Sequence, residues 1–179
     1  MRVLPSWLMR PAISTLGRLT ARYIAKQRRR LLPRARPIRD DQKRRLRGFF
    51  TDDLLDSVRV VRGEVPSPWF YPLVRTIGLK DLPEMSGIGA ITFVDLVVYP
   101  ERLDLDTLFH ELVHVAQYRA LGLERFARLY VEGFLRGGSY EAIPLERQAY
   151  ALGERFEYER ERRFSVEADV QERSDAGSL

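Results

Sequence analysis

The chain has 179 residues, carries 30 Lys and Arg against 25 Asp and Glu, and contains two histidines and no cysteine. This length builds one catalytic-sized domain with an appendage rather than two ordinary domains, and 45% apolar with 31% charged residues describes a globular chain, not a disordered one. Without a thiol there is no disulfide, cysteine nucleophile, iron–sulfur cluster or thiolate zinc site, so any bound metal must be held by imidazole and carboxylate.

Residues 1–37 hold nine Arg, one Lys and no acid, a charge of +10 that leaves −5 for the other 142 residues. The basic pI therefore belongs to the N-terminal segment, and it does not make the whole chain a nucleic-acid binder. Ile13, Leu16, Leu19, Thr20, Tyr23 and Ile24 fall at helical spacing, predicting a basic amphipathic helix that starts near Pro11. Arg10 and Pro11 interrupt the apolar run from Val3 to Met9, so the h-region of a secretory signal is missing. No stretch reaches the roughly 20 uncharged apolar residues of a membrane span, and the expected location is cytoplasmic or peripheral to a membrane. Ten positive charges with Trp7 and an apolar helical stripe suit an anionic membrane surface, whereas Trp7 and Tyr23 are too sparse for a nucleic-acid stacking platform. Arg28-Arg29-Arg30, Pro33 and Pro37 form a stiff basic connector. The organisation expected is a segment 1–37, a domain 38–165 and a frayed polar tail 166–179.

Asp40 and Asp41 suit the start of a short helix, and Arg44, Arg45 and Arg47 its last turn before Gly48. Ser57 to Arg62 alternates around Val58, Val60 and Val61, a strand signal closed by Gly63 and Pro66. Prolines, glycines and aromatics make Ser67–Gly87 loop-rich. Ile88–Tyr99 is the most β-like segment, as one long strand or two short ones meeting near Asp95. After Pro100 the period turns helical. Asp104 or Asp106 caps a helix to about Leu121 that Gly122 terminates, a second helix covers about Leu123 to Arg136, and a third runs from Pro144 to about Phe164. The implied class is α+β, a small, mostly antiparallel sheet packed on the first and third of these helices.

Both histidines fall in His110-Glu111-Leu112-Val113-His114, inside the first of these helices. Positions i and i+4 project from one helical face a turn apart, so both imidazoles reach one ion. Glu111 lies beside them, placed to hold a water at the ion and accept its proton. Leu108, Phe109, Val115 and Ala116 make the helix apolar nearly all round, a poor place for unpartnered imidazoles. With both histidines used and no cysteine, the third ligand must be carboxylate. Gln117 and Ala120 stand where the long metzincin motif wants glycine and histidine. Among the glutamates Glu146 is favoured: it sits in the first turn of the third helix, where small Ala149 permits close approach. Glu141, just ahead of that helix, is its main competitor.

The runs HELVHVAQY and IPLERQAY resemble the gluzincin clan of zinc metallopeptidases. Within it they are similar to the compact bacterial domain of unknown function named for extracellular contractile injection systems, with its HELxHVxQ signature. DDLLDSVRVVRG and AITFVDLVVYP resemble segments ahead of that family's motif, so the likeness covers about residues 39–160. The resemblance implies a minigluzincin-like fold, Zn2+ held by His110, His114 and Glu146, Glu111 as general base, and a peptide or protein substrate held extended along Ile88–Tyr99. Gln117 fits the family as a partner of a ligand or as packing, and Tyr140 or Tyr150 is a candidate to stabilise an oxyanion. The function expected is zinc-dependent peptide-bond hydrolysis. The alternative is a non-catalytic zinc-binding structural or interaction domain, attached to a surface through its basic N-terminus.

Overall fold

The computed structural model describes residues 6–64 and 89–179. The loop-rich stretch expected over Ser67–Gly87 lies outside the described residues. Helix α1 runs from Ser6 to Leu31 and passes through Pro11, so the start expected near Pro11 is corrected to Ser6. The helix continues through the proline because Met9 and Ile13, flanking it, are buried with Leu135. A 3-10 turn follows, then β1 (Arg36–Pro37), α2 (Asp40–Leu46), α3 (Asp52–Ser57) and β2 (Arg59–Arg62). Helix α3 is absent from the sequence reading, which ran the strand back to Ser57; Thr51 caps it by accepting the Leu54 amide.

The long β-like segment is two strands, β3 (Ile91–Phe93) and β4 (Leu96–Tyr99), meeting at Val94-Asp95, with Val94 in the left-handed region at φ 67°. Sheet order is β1-β2-β4-β3: β1 with β2 and β3 with β4 are antiparallel, and β2 with β4 is parallel. The class is α+β, as the sequence implied. Leu96, Val97 and Val98 are buried in succession, which requires cover on both faces of the sheet. Val97 packs with Leu108, Leu112 and Phe109 on one side, and Leu96 and Val98 pack with Tyr23 and Ile24 of α1 on the other.

Helix α4 (Leu105–Gly137) is capped by Asp104, whose side chain accepts the Thr107 amide. It consists of two arms broken at Gly122, where φ 72° and ψ 160° suit glycine alone. Gly138 at φ 77° ends the second arm. Helix α5 spans Pro144–Tyr158, shorter than the end at Phe164 expected from sequence, because the chain must turn for Phe164 to pack on Phe49. The polar tail is also corrected: Val166–Asp175 form α6, capped by Ser165 and anchored by the fully buried Val166 and Val170. Its period carries two apolar contacts among charged residues, too weak a signal to stand out in sequence.

Residues on either side of the boundary expected at Pro37 share the packing. Arg28 donates two hydrogen bonds to Asp95 in the β3–β4 turn, at 2.5 and 2.7 Å. This pair is partly exposed and contributes at most about 1 kcal/mol, whereas each buried Ile13, Tyr23 or Ile24 contributes about 1.5–3 kcal/mol. Apolar burial therefore holds α1 in place. Among the described residues, no helix is long and apolar enough to cross a membrane.

Candidate metal centre

The helical period places His110 and His114 on one face of the first arm of α4, and the reversal through the second arm brings α5 back alongside. Gly133 permits this return: a Cβ there would stand 2.7 Å from Cδ of Pro144, the first residue of α5. Glu146 follows in the first turn of α5. His110 Nε2 lies 3.2 Å from His114 Nε2, and each lies 3.3 Å from Glu146 Oε2. These are the three side chains, among the described residues, that could hold a metal ion. Glu141 is exposed in the α4–α5 loop and lies outside the group.

The hydrogen bonds around His114 define its tautomer. The Gln117 amide nitrogen donates to the Leu145 carbonyl and to Gln148 Oε1, both at 2.9 Å. Its oxygen, 2.8 Å from His114 Nδ1, must then accept from that ring nitrogen. A neutral His114 consequently turns the lone pair of Nε2 toward Glu146 Oε2, itself an acceptor that is buried without a hydrogen bond. Three electron-rich atoms facing one point need a cation between them, either a proton or a metal ion. The donor set fits a metal.

The network extends outward, for Gln148 Nε2 donates to Asp169 Oδ1 of α6 at 2.8 Å. Gln117 thus orients a candidate ligand through its hydrogen bond to His114. Replacing Gln117 with Leu leaves the His114 N–H without its acceptor, and the expected loss in metal affinity is about 10- to 100-fold. Asp169→Ala, two links further out, should cost less than Gln148→Leu, which should cost less than Gln117→Leu; competition titration against a chromophoric chelator ranks them.

Tyr130 donates to Glu146 Oε1 at 2.9 Å, so one carboxylate oxygen is held and the other faces the histidines. Burial raises the Tyr140 phenol far above its usual range, and the neighbouring Glu146 charge adds to this. Tyr150, half exposed, lies against the His110 ring at 4.7 Å between centroids. His110 is the most exposed of the three ligand side chains, at 17%, so the centre meets solvent on the His110–Tyr150 side. Glu111 is buried, and its Oε2 accepts a 2.6 Å hydrogen bond from Thr92 of β3. Within the described residues β3 is the strand at that sheet edge.

Burial pulls the His114 pKa down, but the charge and contact of Glu146, with smaller contributions from Glu111 and Gln117, push it up to about 9. Burial raises Glu146, and the two imidazoles outweigh it, holding the carboxyl well below its usual range. A histidine whose pKa rises on folding stabilises the fold fully below its unfolded value near 6.5, and that contribution disappears as pH rises through 9. The melting temperature of metal-free protein is therefore expected to fall between pH 6.5 and 9. Metal binding displaces this proton, so apparent affinity should drop about tenfold per pH unit below 9; titrations at several pH values measure the slope.

Sequence reasoning missed Tyr130, Thr92, Gln148 and Asp169 as parts of the centre. Thr92 carried a faint signal as the hydroxyl within an apolar strand; the others depend on how the helices return. No family model, curated protein or solved structure matches the chain.

Proposed function

We propose that the chain is a zinc metallopeptidase of the gluzincin type, hydrolysing peptide bonds with Glu111 as general base. The observation that carries this reading is the convergence of His110 Nε2, His114 Nε2 and Glu146 Oε2 at separations of 3.2–3.3 Å. Ligand atoms of a tetrahedral zinc at about 2.05 Å lie about 3.3 Å apart, and two imidazoles with one carboxylate favour zinc over calcium or magnesium. Three protein ligands with one solvent-facing side are the arrangement of a catalytic rather than a closed structural site.

Zinc held there supplies Lewis acidity toward a substrate carbonyl and toward water. Glu111 takes the proton of the attacking water and returns it to the amine that leaves, so acid and amine products balance. Thr92 occupies Oε2 of Glu111 and leaves Oε1 to carry the proton. Gln117 accepts from Nδ1 of His114 and so directs Nε2 toward the ion, and Tyr130 orients Glu146. The edge position of β3, next to Glu111, suits an extended peptide that adds as a further strand.

The test is cleavage of an unfolded protein by the zinc-loaded chain, suppressed by a chelator and restored by zinc. Glu111→Ala should abolish cleavage with zinc still bound. Unchanged cleavage in that variant, or zinc-loaded protein without hydrolytic activity, overturns the catalytic reading; the second result would leave a zinc-binding structural domain.

A further inference from the structure

We propose that the solvent face of α1 docks the chain onto a membrane surface rich in anionic phospholipid headgroups. Trp7, Arg10, Ser14, Arg18, Arg22, Lys26, Arg29 and Arg30 are all exposed and follow one another at helical spacing along that face. The row is about 35 Å long at 1.5 Å per residue. No acid occurs before Asp40 in the chain, so nothing on α1 neutralises it. Its one paired arginine is Arg28, which turns sideways to Asp95; none of the six cations on the ridge has an ion-pair partner among the described residues.

The fold changes the kind of contact this helix makes. The sequence suggested a basic amphipathic helix lying on an anionic membrane surface, its apolar stripe included in the contact. That stripe, Met9, Ile13, Tyr23 and Ile24, is buried against the sheet and the second arm of α4. What remains outward is charge, with one indole, Trp7, 74% exposed at the end of the row. A cationic ridge ending in a tryptophan matches a headgroup layer, where arginine meets phosphate and an indole sits at the interface. Nucleic acid, the other polyanion, is disfavoured because Tyr23 and Gln27 are buried, leaving no base-reading amide and no second aromatic on the ridge. Attachment through charge without apolar insertion is reversible and sensitive to salt.

The full chain is tested by co-sedimentation with vesicles of phosphatidylcholine alone and with one quarter phosphatidylglycerol, across about 50 to 500 mM NaCl. Binding should require the anionic lipid and vanish at the high-salt end. The triple variant R18Q/R22Q/R29Q, exposed positions where glutamine preserves helix propensity, should bind about 100-fold more weakly. Its circular dichroism and zinc content should match the parent, which separates lost attachment from lost folding and from the metal centre. Equal binding to neutral vesicles, undiminished binding by the triple variant, or tighter binding to duplex DNA or single-stranded RNA in the same buffer would overturn the proposal.

Discussion

Replacing Glu146 with alanine is expected to weaken zinc binding about a thousandfold. The carboxylate would be one of three ligands on the proposed reading, and protein-held zinc is worth about 10–16 kcal/mol in all. A third of that is about 4 kcal/mol, or close to a thousandfold in affinity. The substitution also removes the charge and contact that contribute most to offsetting the burial of His114, so the His114 pKa falls and metal-free variant protein loses its stability gain toward acidic pH. Elemental analysis of purified wild type and variant, with thermal melts at pH 6.5 and 9, checks both consequences. Glu141→Ala, altering an exposed carboxylate outside the group, should leave metal content unchanged.

Glu111→Gln should lower turnover by a factor of about 100 to 10,000, the range of a general base, without altering metal content. Glutamine is the informative replacement because Thr92 grips one oxygen of this side chain. An amide keeps that contact and the packing, so a loss of rate reports the missing basic oxygen rather than a collapsed site. Thr92→Val makes the complementary change: the carboxylate remains, but its Oε2 loses a buried hydrogen bond. The expected result is a smaller loss of turnover than in Glu111→Gln, because the basic carboxylate remains and only its orientation is loosened. Metal-loaded protein, rate against pH and the two variants side by side distinguish base from positioning group.

Much of the centre was legible in one line of sequence. Two histidines four residues apart, with glutamate between them and no cysteine elsewhere, confine a metal site to one helical face and require a carboxylate as its third donor. Helical periodicity is local, so this part of the geometry needs no tertiary information. The caps and breaks were legible for the same reason: Asp104, Gly122, Gly138 and Pro144 each act through their own backbone and near neighbours.

Choosing between Glu146 and Glu141 required the path of the chain. Only the return of α5, admitted by Gly133, puts Glu146 Oε2 against both imidazoles and leaves Glu141 in solvent. The hydrogen bonds of Tyr130, Thr92 and Gln148 join residues distant in sequence, and no periodicity records such pairs. The two terminal segments were misjudged in a related way. Composition made α1 a candidate for an anionic membrane surface and residues 166–179 a polar tail, because neither segment records which surface receives its apolar side chains. Whether a few apolar side chains order a charged helix depends on a surface waiting to receive them. The sheet and α4 receive Tyr23 and Ile24, and the core receives Val166 and Val170. Sequence alone thus determined the donor types available to a metal and the helix that presents two of them. Tertiary structure decided which carboxylate joins the two histidines, the groups that orient His114 and Glu146, and which face of the basic helix remains exposed, because each depends on contacts between segments far apart in the chain.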